Sequence, residues 1–440
     1  MTVLAVVLAT LILAGCKGAS TPGERQSRRD LGAVSQAYRP HQARPPLPVL
    51  STNSTLDDFL RFAILNHPQV EAAYYDWAES VERITVERSM PDPQITFQAY
   101  IQNVFTSVMP GLMQAFPGPG KLSAAANVAT AESKSKYAAF ETAVLQIAFA
   151  LKQAYFQLWF LDQKIEINRQ TLDLLANLEK IARAQNESGK VTLQDVYRAQ
   201  IERDQLATEL ANLEDSRRPL TAQLKAALGL SREQPDPPQP PLFQASSTNL
   251  TGDALLDTAF ARNPRLKAME AEVRLAEASI AVARKSKVPD FTAGLSADAL
   301  ASPTLYWPQA SMTLPIWRDK IAAQIAAAQA ARSAAQARLS NEQLAVTVDF
   351  AMKSYDYREV TRNLALLENQ LVPEARQSLE IARAGYLSGQ IDFFNLIDAE
   401  RTLLNFQLTE VEARARREIV LADLSLTIAG VAPAGAPLLP

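Results

Sequence analysis

The chain has 440 residues, 48% hydrophobic and 21% charged, with 44 Lys and Arg against 47 Asp and Glu, for a net charge of −3. That balance leaves no electrostatic footprint for nucleic acid. One Cys and two His exclude a disulfide framework and a thiolate or imidazole metal cage. Only 15 residues are Gly, about 3% against a usual ~7%, which weighs against a mostly β fold.

The chain opens on an apolar run, residues 3–15, that stops at Cys16. About 12 apolar residues suit the core of a signal peptide and are too few to cross a bilayer. The run ends in Leu13-Ala14-Gly15-Cys16, small residues followed by the one Cys of the protein. This ending resembles a bacterial lipobox, which implies a signal peptide over 1–15 and lipidation of Cys16. Lys17 stands where such lipoproteins carry Asp for inner-membrane retention, so the resemblance implies outer-membrane sorting. An ordinary leader with an incidental Cys is the plainer alternative. No Lys or Arg precedes the run, a departure from the usual leader. Residues 16–54 are polar and Pro-rich and are expected to form an extended, lipidated tether.

The rest of the chain repeats itself. His67-Pro68 and Asn263-Pro264 are 196 residues apart, Phe116-Pro117 and Leu314-Pro315 are 198 apart, and Ser188-Gly189 and Ser388-Gly389 are 200 apart. Matches in order with a slow drift indicate a duplication with small insertions. The copies span 55–230 and 251–430, with a Pro-rich extended linker over 231–250 and a tail over 431–440.

Within each copy the pattern predicts a helix, two strands, a very long helix and a second helix. Residues 55–89 read as one helix, begun by Ser54 or Thr55 and stopped by Pro91 and Pro93. Residues 95–101 alternate with period two, as a strand between two environments does, and 107–116 follow as a less regular strand. Residues 291–300 and 307–314 are their counterparts. Each is about the length that a tilted strand needs to cross a hydrocarbon layer. Tyr100, Phe105, Phe116, Tyr306, Trp307 and Trp317 cluster around these segments, as an interfacial belt or as ordinary packing. Residues 121–187 hold neither Pro nor Gly; 320–384 mirror them, with Pro373 as an expected kink. Leu161, Ile165, Asn168, Leu172 and Leu175 mark a coiled-coil seam, as do Leu396, Ala399, Leu403, Phe406, Glu410 and Ala413.

Four strands cannot close a membrane barrel, because lipid offers no partner to an open edge. The strands must therefore be shared between copies of the chain; two copies supply eight and three supply twelve, and strand counting does not choose. The element order given twice, the lipobox, Asn66-His67-Pro68, and the run from Phe116 through Pro117-Gly118-Pro119-Gly120 to Lys121 together resemble the TolC-like outer-membrane efflux proteins. The last run and Met90-Pro91-Asp92-Pro93 are most similar to the heavy-metal-efflux branch. The resemblance covers 55–430. It implies a mainly α fold with a small membrane β part: long antiparallel coiled-coil helices forming an α-barrel, and four strands per chain in a homotrimeric twelve-stranded β-barrel.

Gly189 and Gly389 punctuate the long helices at equivalent places and read as hairpin turns. The resemblance adds that this is the periplasmic tip, where Ser188, Gly189, Lys190, Ser388, Gly389 and Gln390 meet a periplasmic adaptor that joins an inner-membrane pump. The family commonly has paired acids facing the lumen just beyond. Here those positions hold Asn395, a departure, and Asp398, with Asp195 as a further candidate in copy one. A three-fold ring of Asp398 would attract cations and help close the tunnel; helix-surface bonding is the alternative. No phosphate loop, GxSxG or HExxH motif occurs, so no enzyme, cofactor or metal site is expected. The reading is an outer-membrane duct for small molecules or metal ions. Its competitors are a type I protein-secretion duct of the same fold and a periplasmic coiled-coil lipoprotein without a pore.

Overall fold

The computed structural model describes residues 20–101, 105–238 and 252–428. Cys16, most of the Pro-rich linker and the tail 431–440 lie outside the described residues. An N-terminal helix, α1 (Pro22–Tyr38), comes first. Copy one follows as α2 (Leu56–Asn66), α3 (Pro68–Arg88), β1 (Gln94–Ile101), β2 (Phe105–Phe116), α4 (Lys121–Glu187) and α5 (Leu193–Ala227). Copy two gives α6 (Gly252–Arg262), α7 (Pro264–Lys285), β3 (Phe291–Asp298), β4 (Leu305–Met312), α8 (Arg318–Leu366), α9 (Val372–Ser388) and α10 (Phe393–Ile428). The fold is mainly helical, with one antiparallel sheet in the order β1-β2-β3-β4, to which each copy gives a hairpin.

The 67 residues of α4 make a rod of about 100 Å. Its counterpart in copy two is interrupted at the expected place, with helical backbone angles on both sides of the interruption. A π-helical turn, Leu367–Leu371, joins α8 to α9. Pro373 sits in the first turn of α9; it offers no N–H to residue 369, and its ring crowds that carbonyl. A widened turn relieves both. Asp173 occupies the equivalent place in copy one, and α4 runs through unbroken.

Two expectations need correction. The segment read as an extended tether contains α1. Thr21 caps this helix by accepting the Glu24 N–H at 3.1 Å, and Pro22 sits in the first turn. Val34 and Tyr38 on its inner face are buried, and carboxylate and guanidinium groups fasten its ends: Glu24 to Arg88 at 2.7 Å, and Arg39, just past the helix, to Glu71 at 3.4 Å. The segment 55–89 is two helices, not one. Thr55 and Asp58 close a capping box that starts α2. His67 then ends α2 and starts α3, its Nδ1 accepting the Gln69 N–H at 3.1 Å.

The break at His67 has a purpose that copy two repeats. Asn66 Nδ2 donates to the carbonyls of Leu228 (3.0 Å) and Gly229 (3.1 Å), just past α5. Asn263 Nδ2 donates to the Thr427 carbonyl at 2.7 Å, near the end of α10, while its Oδ1 caps α7 by accepting from Arg265 N–H at 2.8 Å. Each copy thus latches its helix–helix corner onto the end of its returning long helix.

An aromatic core joins α1, α3 and α4. Trp77 lies over Tyr137 (centroids 4.7 Å apart) and Phe140 (6.0 Å), with Tyr38 and Tyr74 beside them. At the far end of the rods a second core holds Leu175, Leu178 and Ala182 of α4, Val196 and Ala199 of α5, and the facing sides of α9 and α10. Of the expected seam residues, Leu161, Ile165, Asn168, Leu175, Leu396, Leu403 and Ala413 are buried and Leu172, Ala399, Phe406 and Glu410 are half-buried; each buried Leu is worth about 1.5–3 kcal/mol.

Candidate functional site

The sheet is the first half of the site. Its register places Ile95, Leu112, Leu295 and Pro308 side by side, with Phe97 beside Pro110, and Phe116 beside Phe291 and Met312. This face is apolar except for Gln114, which lies beside Ala293 between Leu112 and Phe116. The opposite face carries Thr96, Gly111, Ser296 and Trp307 in one row, and Gln94, Met113, Gly294 and Gln309 in the next. Gln309 Nε2 donates to Ser296 Oγ at 3.2 Å, and Ser107 Oγ donates to Asp298 Oδ2 at 2.8 Å. The period of two thus separates an apolar from a mostly polar and small-residue surface.

The apolar face is uncovered within the chain: Phe97 is 74% exposed, and Ile95, Leu112, Leu295 and Tyr306 are also exposed. No helix of the described residues is long and apolar enough to cross a membrane. Tyr100, Tyr306 and Trp307 sit toward the β1–β2 and β3–β4 turns, and Phe116 and Trp317 lie at the helical end. All five are exposed, so the aromatics flank the sheet at both ends. The described side chains do not include that of Phe105.

The junction between sheet and rods explains the run that ends at Lys121. Asp290, just before β3, accepts the Gly118 N–H and the Lys121 ammonium, both at 2.7 Å, on one oxygen. Lys285 Nζ donates to the Pro119 carbonyl at 3.0 Å. This cross-tie binds copy one to copy two where strands become helices. It needs a Gly at 118, because a Cβ there would lie 2.4 Å from the Pro289 carbonyl oxygen and 2.6 Å from Val288 Cγ1. Gly118→Ala is therefore expected to cost about 1–3 kcal/mol by overpacking, read as a lowered unfolding temperature of the assembled protein. Gly32→Ala in α1 meets no atom within 4 Å and is the control that should not destabilise.

The tip is the second half. Gly189 (φ 74°) and Gly389 (φ 77°) are both left-handed, as hairpins after long helices require. The Lys190 N–H donates to the Gln185 carbonyl (2.9 Å), and the Gln390 N–H donates to the Gly385 carbonyl (2.8 Å), so the two turns are built alike. Ser188, Lys190, Ser388 and Gln390 are exposed at the extreme end. The two turns lie together around a cleft of about 440 Å³, lined by Lys190, Asp195, Tyr386, Ser388, Gly389 and Gln390 among others.

The candidate gate residues are not grouped in one place. Asp195 lines that cleft, but its carboxylate closes the cap of α5, accepting the Thr192 N–H (3.1 Å) and hydroxyl (3.0 Å). The capping signature Thr192-x-x-Asp195 was legible in the sequence. In copy two the cap is built differently: Asp392 accepts the Asn395 N–H at 2.9 Å, and the Asn395 side chain is left exposed. Asp398 is exposed one turn further on. The neighbouring Arg401 turns to Glu202 of α5; that pairing, with a smaller contribution from Asp398, raises its guanidinium against the opposing effect of burial. Arg198, the copy-one equivalent of Asp398, lies 5.7 Å over the Phe394 ring. These two contacts tie α5 to α10.

A one-faced sheet continued by two antiparallel helical hairpins defines a channel of the TolC-like type, in which the strands belong to the outer membrane and the rods to the periplasm. Residues 60–230 and 255–430 match the model of the family described as Outer membrane efflux protein, one match per copy. The chain belongs to that family, which is a family of channels and not of enzymes. Among curated proteins it is similar to the cobalt-zinc-cadmium resistance protein CzcC of Cupriavidus metallidurans, with 22% identity over 88% of this chain and 91% of that one. Among solved structures it resembles the outer membrane protein VceC of Vibrio cholerae, with a TM-score of 0.71 and 18% identity over 85% of this chain and 96% of that one. It also resembles the open state of the MtrE outer membrane channel of Neisseria gonorrhoeae, with a TM-score of 0.71 and 16% identity over 88% of this chain and 96% of that one.

Proposed function

We propose that three copies of this chain form the outer-membrane duct of a tripartite efflux system that expels heavy-metal ions. The observation that carries the pore is the sheet, with one apolar exposed face, one polar face and outer strands β1 and β4 each paired on a single side. Three such sheets joined edge to edge make a twelve-stranded barrel with its apolar faces toward lipid. The cargo reading is supported by the relation to CzcC across nearly the whole chain. In this reading Cys16 carries the lipid that tethers each protomer to the outer membrane. Ser188, Gly189, Lys190, Ser388, Gly389 and Gln390 receive the periplasmic adaptor, which links the duct to an inner-membrane pump. Asp398 supplies a ring of three carboxylates at the narrow end, with Asn395 one turn before it on α10, so that cations pass and anions are held back.

The test is a strain that keeps a cobalt-zinc-cadmium pump and adaptor but lacks their outer-membrane channel. Expression of this chain is expected to restore growth on zinc, cobalt and cadmium and to lower their cellular content. Restored drug export or protein secretion without metal resistance would overturn the cargo. Absence of conductance from the purified oligomer in proteoliposomes would leave a coiled-coil spacer in place of a duct.

A further inference from the structure

The two copies place an acid differently in the tip core. Copy one has Glu179 on α4 with Gln200 and Arg203 on α5; two hundred residues on, copy two has Leu379, Glu400 and Leu403. Glu179 is fully answered: Arg183 pairs with it at 2.9 Å, Arg203 pairs on its other oxygen, and Gln200 Nε2 donates to it at 3.1 Å. Burial pushes its carboxyl up, but these partners outweigh burial and hold it below the usual range.

Glu400 has none of these partners. It is 4% exposed, and its helix buries Leu396, Ile397 and Leu403 one turn to either side, against the α9 face of Ala375, Leu379, Ala382 and Tyr386. Its Oε2 has no hydrogen-bond partner, and burial alone pushes its carboxyl up to about 7.

The charged groups of the surrounding helices are engaged or turned away. On α10, Asp398 is exposed and Arg401 binds Glu202 of α5. On α9, Glu374, Arg376, Glu380 and Arg383 are exposed. On α4, Asp173 and Lys180 are exposed, and Glu179 holds Arg183 and Arg203. On α5, Asp195 closes its own cap and Arg198 lies over Phe394. The Tyr386 hydroxyl, also without a partner, has its titration pushed up to about 12 by burial, so it stays neutral.

A buried carboxyl with one oxygen shut away from any partner is tolerated as the neutral acid and disfavoured as the anion. We propose that Glu400 makes the second tip hairpin a proton-controlled element: neutral, it lies inside the α9–α10 seam, and ionised, it opens that seam to reach water, while the first hairpin stays closed on its paired Glu179. An acid whose folded value is raised loses its stabilising neutral form as pH rises. The seam is therefore tightest below about pH 4.5, loosens as pH climbs, and is fully weakened above about pH 7. The inference concerns the hairpin itself and holds whatever the tip binds, so it stands or falls separately from the duct.

The test is amide hydrogen exchange on the full-length protein in detergent, corrected for intrinsic rates. Protection across 375–403 is expected to be on the order of tenfold lower at about pH 8 than at about pH 5.5, with 175–206 unchanged. Glu400→Gln, which keeps the shape of the neutral acid, should abolish the difference. Equal protection of the unsubstituted hairpin at both pH values overturns the proposal, as does a difference that survives in Glu400→Gln.

Discussion

Phe97→Arg is expected to prevent insertion of the channel, whereas Gln98→Arg, one residue further along β1, is expected to insert normally. The two side chains leave the strand on opposite faces. Phe97 lies beside Pro110 on the apolar side and is uncovered by its own chain, while Gln98 lies beside Met109 on the other side. An Arg facing hydrocarbon near the middle of a barrel strand costs about 2–4 kcal/mol, and the same Arg facing water in the pore pays no such cost. Heat-modifiable oligomer in outer-membrane fractions should fall steeply for Phe97→Arg and hold for Gln98→Arg. The latter should also shift conductance toward anions, since a cation would then line the pore. Equal behaviour of the two variants would mean that the sheet does not divide lipid from water.

Trp77→Ala is expected to be the most damaging truncation in the helical part. Trp77 is 1% exposed and stacks within 19° of the Phe140 plane, with Tyr137 and Tyr74 against it. These rings join α3 and α4, and α3 leads directly into β1. Emptying such a site costs about 3–5 kcal/mol, the lost transfer energy plus the cavity left behind. Denaturant unfolding monitored by helix content should show that loss, with Trp77→Phe well below it because part of the ring contact survives. A loss under about 1 kcal/mol would mean that the neighbouring rings close over the gap and that α1 and the ion pairs hold this corner instead.

What the sequence disclosed follows from what its residue patterns encode. The long rod α4 was legible to the residue, because Lys121 to Glu187 holds no breaker and Gly120 and Gly189 stand outside its ends. β1 was legible from its alternation, but β2 was legible only in part. Pro110 and Gly111 blur its period, and its extra residues at the Phe105 end pair with the last residue of β1 through an irregular register. The helix α1 carries a capping pattern, Thr21-Pro22-Gly23-Glu24, but the Pro-rich stretch after Arg39 gives the segment the composition of an extended chain. The cross-tie through Asp290 was out of reach, since it joins residues about 170 apart in a geometry only the folded sheet supplies. Glu400 was equally hidden. An acid beside a heptad seam looks the same in sequence whether a cation or a leucine faces it, and the difference between the tips shows only when α9 is laid against α10.

The one-sided pairing of β1 and β4 has a consequence for the life of a newly exported chain. Until its neighbours arrive, each protomer carries two rows of vacant amide and carbonyl groups beside a greasy surface, which is the template for uncontrolled sheet growth. Only a completed ring removes every free row at once. A dimer still carries two open rows, so partial assemblies are as sticky as single chains. The last protomer to join closes two seams in one step and gains more than the one before it. Assembly is thereby biased toward all or nothing, and the cell must escort the protein or keep its waiting time short.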